Sequence, residues 1–247
     1  MKILTLFFIL LLSNIHLQAS TAREYTVGVE SIPFLPYSNV ENDHYNGFFK
    51  NLLDEFAKKE KITFKYIPLP LNRLYSQFLM HKLDFKIPAS PLWQKNKKKD
   101  IKIYYSSPVI SYVDGVMVKK TVTNIKQIKT MSIFAGFTPA KEFQELIEKK
   151  QLTLQESHGI DGILKQAIND RSDAAYINIA VGYHYLKNKL QRPNALKFNQ
   201  SLPHSKDNYH LATTKQHSLL EKFNQFLLVN KSKIYQKEKE LGITIDK

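Results

Sequence analysis

The sequence predicts an α/β protein made of two successive series of alternating strands and helices. Some segments repeat apolar residues at helical spacing, and the segments between them are short and rich in β-branched or aromatic residues. No internal repeat and no low-complexity linker separates the two series. This alternation is typical of mainly parallel sheets flanked by helices, so we expect two lobes joined by short crossings.

The first series follows the order strand, helix, strand, helix, strand. Prolines 33 and 36 place a loop after the first strand, and a helix beginning at Gly47 carries apolar residues through Ala57 on one face. The remaining elements are predicted as a first strand at Tyr25 to Glu30, a second at Ile62 to Ile67, a helix at Asn72 to His81 and a third strand at Leu83 to Ile87.

The second series repeats this alternation over the rest of the chain. Thr138 followed by Pro139 predicts the cap and first residue of a helix. The predicted strands are Val113 to Lys120, Met131 to Ala135, Leu152 to Gln155, Ala174 to Ile177 and Tyr209 to Thr213. The predicted helices are a short turn at Asn124 to Ile128, then Thr138 to Lys150, Asp161 to Asp170, a helix through Tyr185, and Ser218 to Val229.

The first 22 residues have the layout of a secretory signal peptide. Lys2 is followed by an apolar run from Ile3 to Leu12, and Ala19 and Ala22 are both usable cleavage positions. The apolar run is about half of the roughly 20 residues that a membrane-spanning helix needs. We therefore expect an exported protein, free in a periplasm-like space, and the absence of cysteine leaves no thiolate or disulfide chemistry.

Composition and motifs favour a binding role over catalysis. The formal net charge is +14, but the lysines are scattered, and the dense run from Lys95 to Lys102 is expected to be a solvated loop. No basic motif interleaved with aromatic residues indicates nucleic-acid binding. Phosphate-binding loops, nucleophile motifs and metal-ligand spacings are also absent from the sequence, so we expect no catalytic residues, no metal and no cofactor.

Five short motifs, in order, resemble the family 3 extracellular solute-binding proteins, which are type II periplasmic binding proteins of polar amino acid ABC importers. They are Gly47-Phe48-x-x-Asn51-Leu52, Leu79-x-x-Lys82-Leu83-Asp84, Ser106-Ser107-Pro108, Asp173-Ala174-Ala175-Tyr176, and the closing strand and helix after Tyr209. The resemblance covers nearly the whole chain after the signal peptide. Pro70-Leu71-Asn72-Arg73 is closest to a group of that family whose ligands are mostly unassigned.

The resemblance implies two lobes that close on a small ligand. Lobe 1 would comprise residues 23–112 and 206–247, and lobe 2 residues 113–205. Two departures make a standard α-amino acid a doubtful ligand. No arginine stands in the segment before Ser106, where family members hold the α-carboxylate, and Asn178 occupies the place of the aspartate that holds the α-amino group.

Six residues are the candidate ligand contacts. Tyr37 lies in the first strand-to-helix loop, where the family places an aromatic ring, and Arg73 could hold an anionic group. Thr138 would present the amide groups of a helix start to an anion, and Asn178 could bind a hydroxyl or amide. The alternatives are packing of the proline-rich loop for Tyr37, a surface or lobe-bracing position for Arg73 and helix capping for Thr138. The remaining two candidates, on the segment after the third strand, are Ser90 and Trp93.

The sequence therefore predicts a periplasmic, monomeric solute-binding protein. It would trap a small polar ligand, which could be anionic, and deliver it to an inner-membrane ABC permease. One alternative is a ligand-sensing module that docks on a membrane receptor. Another is a periplasmic enzyme on the same fold, such as a dehydratase, which would need a cleft carboxyl with a raised pKa.

Overall fold

A computed structural model of the chain describes residues 22–42, 44–98 and 100–242, so nearly all of the predicted signal peptide lies outside the described residues. Among the described residues, no helix is long and apolar enough to cross a membrane.

The first series forms the predicted elements with small shifts in their bounds. It comprises β1 (Glu24–Glu30), β2 (Ser38–Glu41), β3 (His44–Gly47), α1 (Phe48–Glu60), β4 (Thr63–Leu69), α2 (Leu71–Leu79), β5 (Phe85–Ala89) and the short β6 (Tyr104–Tyr105). The hairpin of β2 and β3 was not predicted, and Lys95–Lys98 forms a 3-10 turn.

The second series also follows the predicted order. It comprises β7 (Ile110–Val118), β8 (Thr130–Phe134), α3 (Lys141–Glu148), β9 (Thr153–Ser157), α4 (Ile160–Ile168), β10 (Ala174–Asn178), α5 (Ile179–Asn188), β11 (Lys197–Phe198), β12 (His204–Thr213), α6 (His217–Val229) and α7 (Lys231–Glu240). The prediction that Thr138 caps α3 is wrong. The N-cap is Ala140, so Pro139 lies outside the helix. The carbonyl oxygen of Pro139 accepts a hydrogen bond from the side chain of Gln144.

The main strands lie in the order β4-β1-β5-β12-β7-β10-β8-β9. Parallel strands β4, β1 and β5 occupy one end, and parallel strands β10, β8 and β9 occupy the other. The two long antiparallel strands β7 and β12 lie between these groups and pair with each other over six residues, Ile110 to Gly115 on β7. The two α/β groups are therefore joined by a pair of shared central strands.

A half-buried aspartate immediately before one strand clamps the neighbouring strand in each series. Asp84 accepts hydrogen bonds from the amide and hydroxyl of Thr26, and Asp173 accepts the same pair from Thr130. Burial, the largest influence, would raise the pKa of each carboxyl, but these donors outweigh it and the pKa of both lies below its usual value. Both aspartates belong to motifs that carry the family resemblance, so these motifs have a structural role.

Apolar helix faces close the core over the sheet. The buried residues of α1 follow helical spacing, and Phe56 packs edge-on against Phe223 of α6 with ring centroids 5.1 Å apart. A left-handed residue, Lys61 with φ 55°, ends α1 and returns its amide to the helix. The helices hold the carboxyl ends of the parallel strands at one edge, and the loops that follow these strands meet there.

Candidate functional site

A narrow cavity lies where the strand ends of the two series face each other. Glu30 at the end of β1 and Leu71 at the start of α2 line one side, and the loop after β8 lines the other with Gly136, Phe137 and Thr138. Ligands of open α/β sheets bind at the carboxyl ends of the strands. This cavity is therefore the candidate binding site.

The central strands form the base of the cavity. Asp114 of β7 and Tyr209 of β12 line it, and register places Asp114 directly opposite both Asn178 of β10 and Ser205 of β12. Directly opposed residues of antiparallel strands point to the same face of the sheet. The polar groups of three neighbouring strands thus converge beneath the cavity.

An open groove adjoins the cavity. The inner cavity has a volume of only about 20 Å³, enough for a water-sized group, whereas the groove has about 730 Å³. The two share a wall whose members are Trp93, Gln94, Phe137 and Thr138. A ligand of several atoms therefore fits the inner cavity only if this wall moves.

Direct contacts between the two series hold this wall together. The Gln94 side-chain amide donates to the Gly136 carbonyl oxygen at 2.7 Å, and the Gln94 backbone amide approaches the Thr138 hydroxyl at 3.4 Å. The Tyr185 hydroxyl donates to the Pro33 carbonyl oxygen at 2.8 Å, which ties α5 to the loop after β1. These few polar contacts are the kind that a hinge motion can make and break.

Aromatic rings surround the cavity base. Tyr112 and Tyr209 stack with centroids 4.4 Å apart, and Trp93 and Tyr37 both pack edge-on against Tyr209. Phe34 stacks on Tyr37 at 5.7 Å. The cavity thus has a rigid, largely apolar wall with a few polar groups set into it, as small-molecule sites usually do.

Asp114 is a buried carboxyl at the base of the cavity. It is 7% exposed, and its Oδ1 atom has no hydrogen-bond partner among the described residues. Burial raises the pKa of Asp114 to about 7; the Asn178 amide partly opposes this shift, and the charges of Glu30 and Asp207 add to it. The carboxyl therefore changes its charge near neutral pH.

Glu30 and Lys86 are two further buried groups whose opposite charges act on each other, and the Glu30 charge also acts on Asp114. Burial raises the pKa of Glu30, and the Lys86 ammonium opposes that rise. Burial lowers the pKa of Lys86 to about 8, opposed by Glu30. The ammonium donates to the Pro88 carbonyl oxygen and lies 4.7 Å from the centroid of Tyr75. The Lys86 ammonium is thus held by a carbonyl oxygen and an aromatic ring, and it is not among the residues that line the cavity.

Four of the six sequence-predicted residues converge on the cavity. Trp93 and Thr138 line it directly, whereas Tyr37 and Asn178 are fully buried behind its wall. Asn178 caps α5 by accepting from the Val181 amide, and its side-chain nitrogen donates to the hydroxyls of Tyr209 at 3.0 Å and Tyr37 at 3.4 Å. The side chain of Asn178 is therefore committed to protein partners on both ends.

The other two predicted residues do not line the cavity. Ser90 is buried nearby, where its hydroxyl donates to Asp207 at 3.0 Å and accepts from the Leu92 amide. Arg73 is exposed on α2, with no ion pair or side-chain hydrogen bond to the described residues. Two observations behind the expected anionic ligand, Arg73 in the cleft and a helix start at Thr138, are thus absent from this structure.

Sequence reasoning overlooked the charged residues of the cavity. Glu30, Lys86 and Asp114 are each buried in or at the end of a strand whose neighbouring residues are mostly apolar. That pattern could have identified them, because a charge in a buried strand must be paired or functional. Among the described residues there is no cluster of potential metal ligands.

Comparisons with solved structures agree with this architecture. An ancestral arginine-binding protein bound to arginine is similar over 88% of this chain and 98% of its own, with 22% identity and a TM-score of 0.69. The arginine 3rd transport system periplasmic binding protein of Legionella pneumophila has 16% identity and a TM-score of 0.66, covering 87% of this chain and 99% of its own.

A third similar structure is the arginine-, lysine-, histidine-binding protein ArtJ of Geobacillus stearothermophilus, with 19% identity and a TM-score of 0.68, covering 87% of this chain and 94% of its own. No protein-family profile and no curated protein matches the chain by sequence. At these identities the likeness establishes the fold alone. That fold is the two-lobed, type II periplasmic binding protein fold, a mixed α/β architecture.

Proposed function

We propose that this chain is a periplasmic solute-binding protein that traps a small polar ligand between two lobes and delivers it to an ABC importer. The observation that carries the proposal is the cavity between the strand ends of the two series, held by few polar contacts. Similar structures described as amino acid or arginine transport binding proteins support the same role. The signal-peptide layout of the first 22 residues supports export.

The sheet order supports the lobe boundaries that the sequence predicts. Lobe 1 would comprise residues 23–112 and 206–247, and lobe 2 residues 113–205, so the chain would cross between lobes within β7 and β12. Because β7 and β12 pair with each other and with both flanking groups of strands, bending at this pair would open the cavity. The protein would act as a monomer that presents its closed form to an inner-membrane permease.

An enzyme is the second candidate, because one observation favours it. A cleft carboxyl with a pKa of about 7, Asp114, is suited to moving a proton at neutral pH. The similar structures are described as binding proteins, which favours the first candidate. A binding protein returns its ligand unchanged, whereas a dehydratase would release a product lighter by one water.

One experiment tests both candidates. The chain from residue 23 onward would be screened by thermal unfolding against amino acids, amines, organic acids and sugars, and each hit would be quantified by calorimetry. A ligand at 100 times its dissociation constant should stabilise the protein by about 2.7 kcal/mol. Mass spectrometry of the hit after long incubation should show it unchanged; conversion would replace the trap with an enzyme.

A matched pair of variants ties the hit to the cavity. Trp93→Ala should weaken binding strongly, because Trp93 lines both the cavity and the groove. Met80→Ala removes an exposed apolar side chain, 62% accessible, and should leave the affinity unchanged. Equal affinity for the two variants would place the ligand elsewhere and contradict the proposed trap.

A further inference from the structure

We propose that the inner cavity receives a cationic nitrogen group of the ligand, an ammonium or guanidinium, and that the Asp114 carboxylate is its counter-ion. The inference rests on the proposed function, since it specifies the ligand class of the same cavity. Four observations carry it.

The first observation is the unpartnered oxygen of Asp114. The side chain is buried on β7 and lines the cavity, yet Oδ1 has no hydrogen-bond partner among the described residues. A buried carboxylate oxygen without a donor is costly to the folded protein. A cationic N–H donor placed in the cavity would satisfy it.

The second observation is the charge balance around the cavity. Lys86 and Glu30 carry opposite charges, and the Glu30 charge opposes the lowering of the Lys86 pKa by burial. Burial raises the pKa of Asp114 most, and the charges that add to this rise come from Glu30 and Asp207, which are both acidic. Lys86 is already held by the Pro88 carbonyl oxygen and lies over the Tyr75 ring. The buried cluster of Glu30, Lys86 and Asp114 is therefore one positive charge short when all three groups are ionised.

The third observation is the aromatic lining. Phe34, Trp93, Phe137 and Tyr209 all line the cavity with Asp114. Ring faces attract organic cations and repel anions, so these walls favour the same sign of charge as Asp114 does. A site built for an anion would instead present free N–H donors or an unengaged cation.

The fourth observation is that neither Asn178 nor Arg73, two polar residues that the sequence predicted as ligand contacts, is available to bind a ligand in the cavity. Asn178, opposite Asp114 in register, is used up by the Val181 amide and two tyrosine hydroxyls. Arg73 is exposed and outside the cavity lining. The inner cavity, with a volume of about 20 Å³, has room only for the charged head of a ligand. The rest of the ligand would extend into the adjoining groove of about 730 Å³.

The test is calorimetric titration of the chain from residue 23 onward with three sets of probes at pH 8. The cationic set is putrescine, agmatine, lysine and arginine; the anionic set is glutarate and inorganic phosphate; the neutral set, which carries no ammonium group, is acetamide and glucose. We expect binding within the cationic set only. We also expect a loss of about 30-fold or more in Asp114→Asn, because a buried charge would lose its partner.

Asp170→Asn is the matched control, since it removes an exposed carboxylate that pairs with Lys119 on the surface. It should bind with wild-type affinity, and circular dichroism should show both variants folded. Binding of a cation with equal affinity to Asp114→Asn and Asp170→Asn would overturn the role of Asp114.

The outcomes separate this inference from the proposed function. A hit confined to the anionic or neutral set would overturn the cationic ligand and leave the trap intact. Absence of binding by every cationic probe at about 1 mM, a free energy weaker than about −4 kcal/mol, would also overturn it. Failure of all three sets and of the wider screen would count against the trap itself.

Discussion

Replacing Asp114 by asparagine should make the protein more stable at neutral and alkaline pH. The carboxyl is buried, and burial raises its pKa to about 7, compared with about 3.9 in an unfolded chain. The folded protein therefore holds an ionised Asp114 at a cost above pH 7. Asparagine has nearly the same shape and carries no charge.

The magnitude follows from the difference of about three pH units between the folded and unfolded values. Each unit corresponds to about 1.4 kcal/mol, so ionising Asp114 lowers the free energy of unfolding by about 4 kcal/mol at pH 8. The asparagine amide adds two N–H donors in a buried place, which costs about 1–3 kcal/mol. The net stabilisation should be about 2 kcal/mol, or roughly 4–8 °C in melting temperature for a domain of this size.

The sign of the pH dependence is fixed by the raised pKa. Between about pH 4 and pH 7 the folded carboxyl retains a proton that the unfolded chain has already lost, so the stability that it contributes is complete below pH 4 and lost as the pH passes 7. The titratable groups around Asp114 are the carboxyls of Glu30 and Asp207 and four tyrosine hydroxyls, those of Tyr37, Tyr112, Tyr176 and Tyr209. Burial raises the pKa of all four tyrosines, so they stay neutral in this window.

Thermal and denaturant unfolding at pH 5 and pH 8 would measure the effect. Asp114→Asn should have a free energy of unfolding about 2 kcal/mol above that of the wild type at pH 8 and nearly equal to it at pH 5. At pH 5 the cost of the raised Asp114 pKa in the wild type falls to about 2 kcal/mol, which is close to the cost of burying the asparagine amide. Asp170→Asn, at an exposed ion pair, should change stability by less than about 1 kcal/mol at both pH values. A variant less stable than wild type at pH 8 would refute the reasoning, because it would show a well-paired carboxylate.

Three further predictions concern neighbouring features. Gly136→Ala should lower the free energy of unfolding by about 1–3 kcal/mol and weaken ligand binding, because φ of Gly136 is 90° and the new methyl would lie 3.2 Å from an oxygen of Asn72 across the cleft. The control Gly242→Ala, with φ 65° and open space around it, should leave binding unchanged. Equal ligand affinity of the two variants would exclude the steric effect at Gly136. Arg73→Ala should change stability by less than about 0.5 kcal/mol and leave calorimetric affinity intact, whereas a large loss would restore the role that the sequence predicted for it. Lys86→Met should lower the free energy of unfolding, measured in urea, by about 3–5 kcal/mol, because it leaves the buried Glu30 carboxylate without an opposite charge. Adding Glu30→Gln to this variant should recover much of the lost stability. Strictly additive losses of the two substitutions would show that the two charges do not interact.

Local patterns predicted most of the fold because its elements are strongly periodic. The helix beginning at Gly47 and the strand at Tyr25 to Glu30 were placed within one or two residues of their observed bounds. The sheet hairpin of β2 and β3 was missed because its strands are only four residues long and polar. The start of β12 at His204 was also missed, because its polar residues become a strand only by pairing with β7.

The chemistry of the site was harder to predict than its location. Loops after predicted strands directed attention to Trp93 and Thr138, both of which line the cavity. The charge of the cavity was not recoverable, because Asp114 is separated in sequence from Glu30 by more than two elements and their proximity depends on the sheet order. Arg73, which the sequence also predicted as a contact, is exposed and outside the cavity lining, so its role stays a prediction.

The position of Asp114 on β7 has a mechanical consequence. β7 and β12 are the paired strands at the boundary of the proposed lobes, so the axis of any opening motion passes close to them. Atoms near a hinge axis move least. Phe34 and Phe137, whose ring centroids are 6.3 Å apart across the cleft, belong to the two opposite proposed lobes and would move further. An incoming ligand would thus find the Asp114 carboxylate at the same place whether the lobes are apart or together. The ligand would bind the Asp114 carboxylate first and be enclosed by the aromatic rings second. Mutations near the hinge axis should therefore alter the association rate, and mutations of the aromatic rings should alter the dissociation rate.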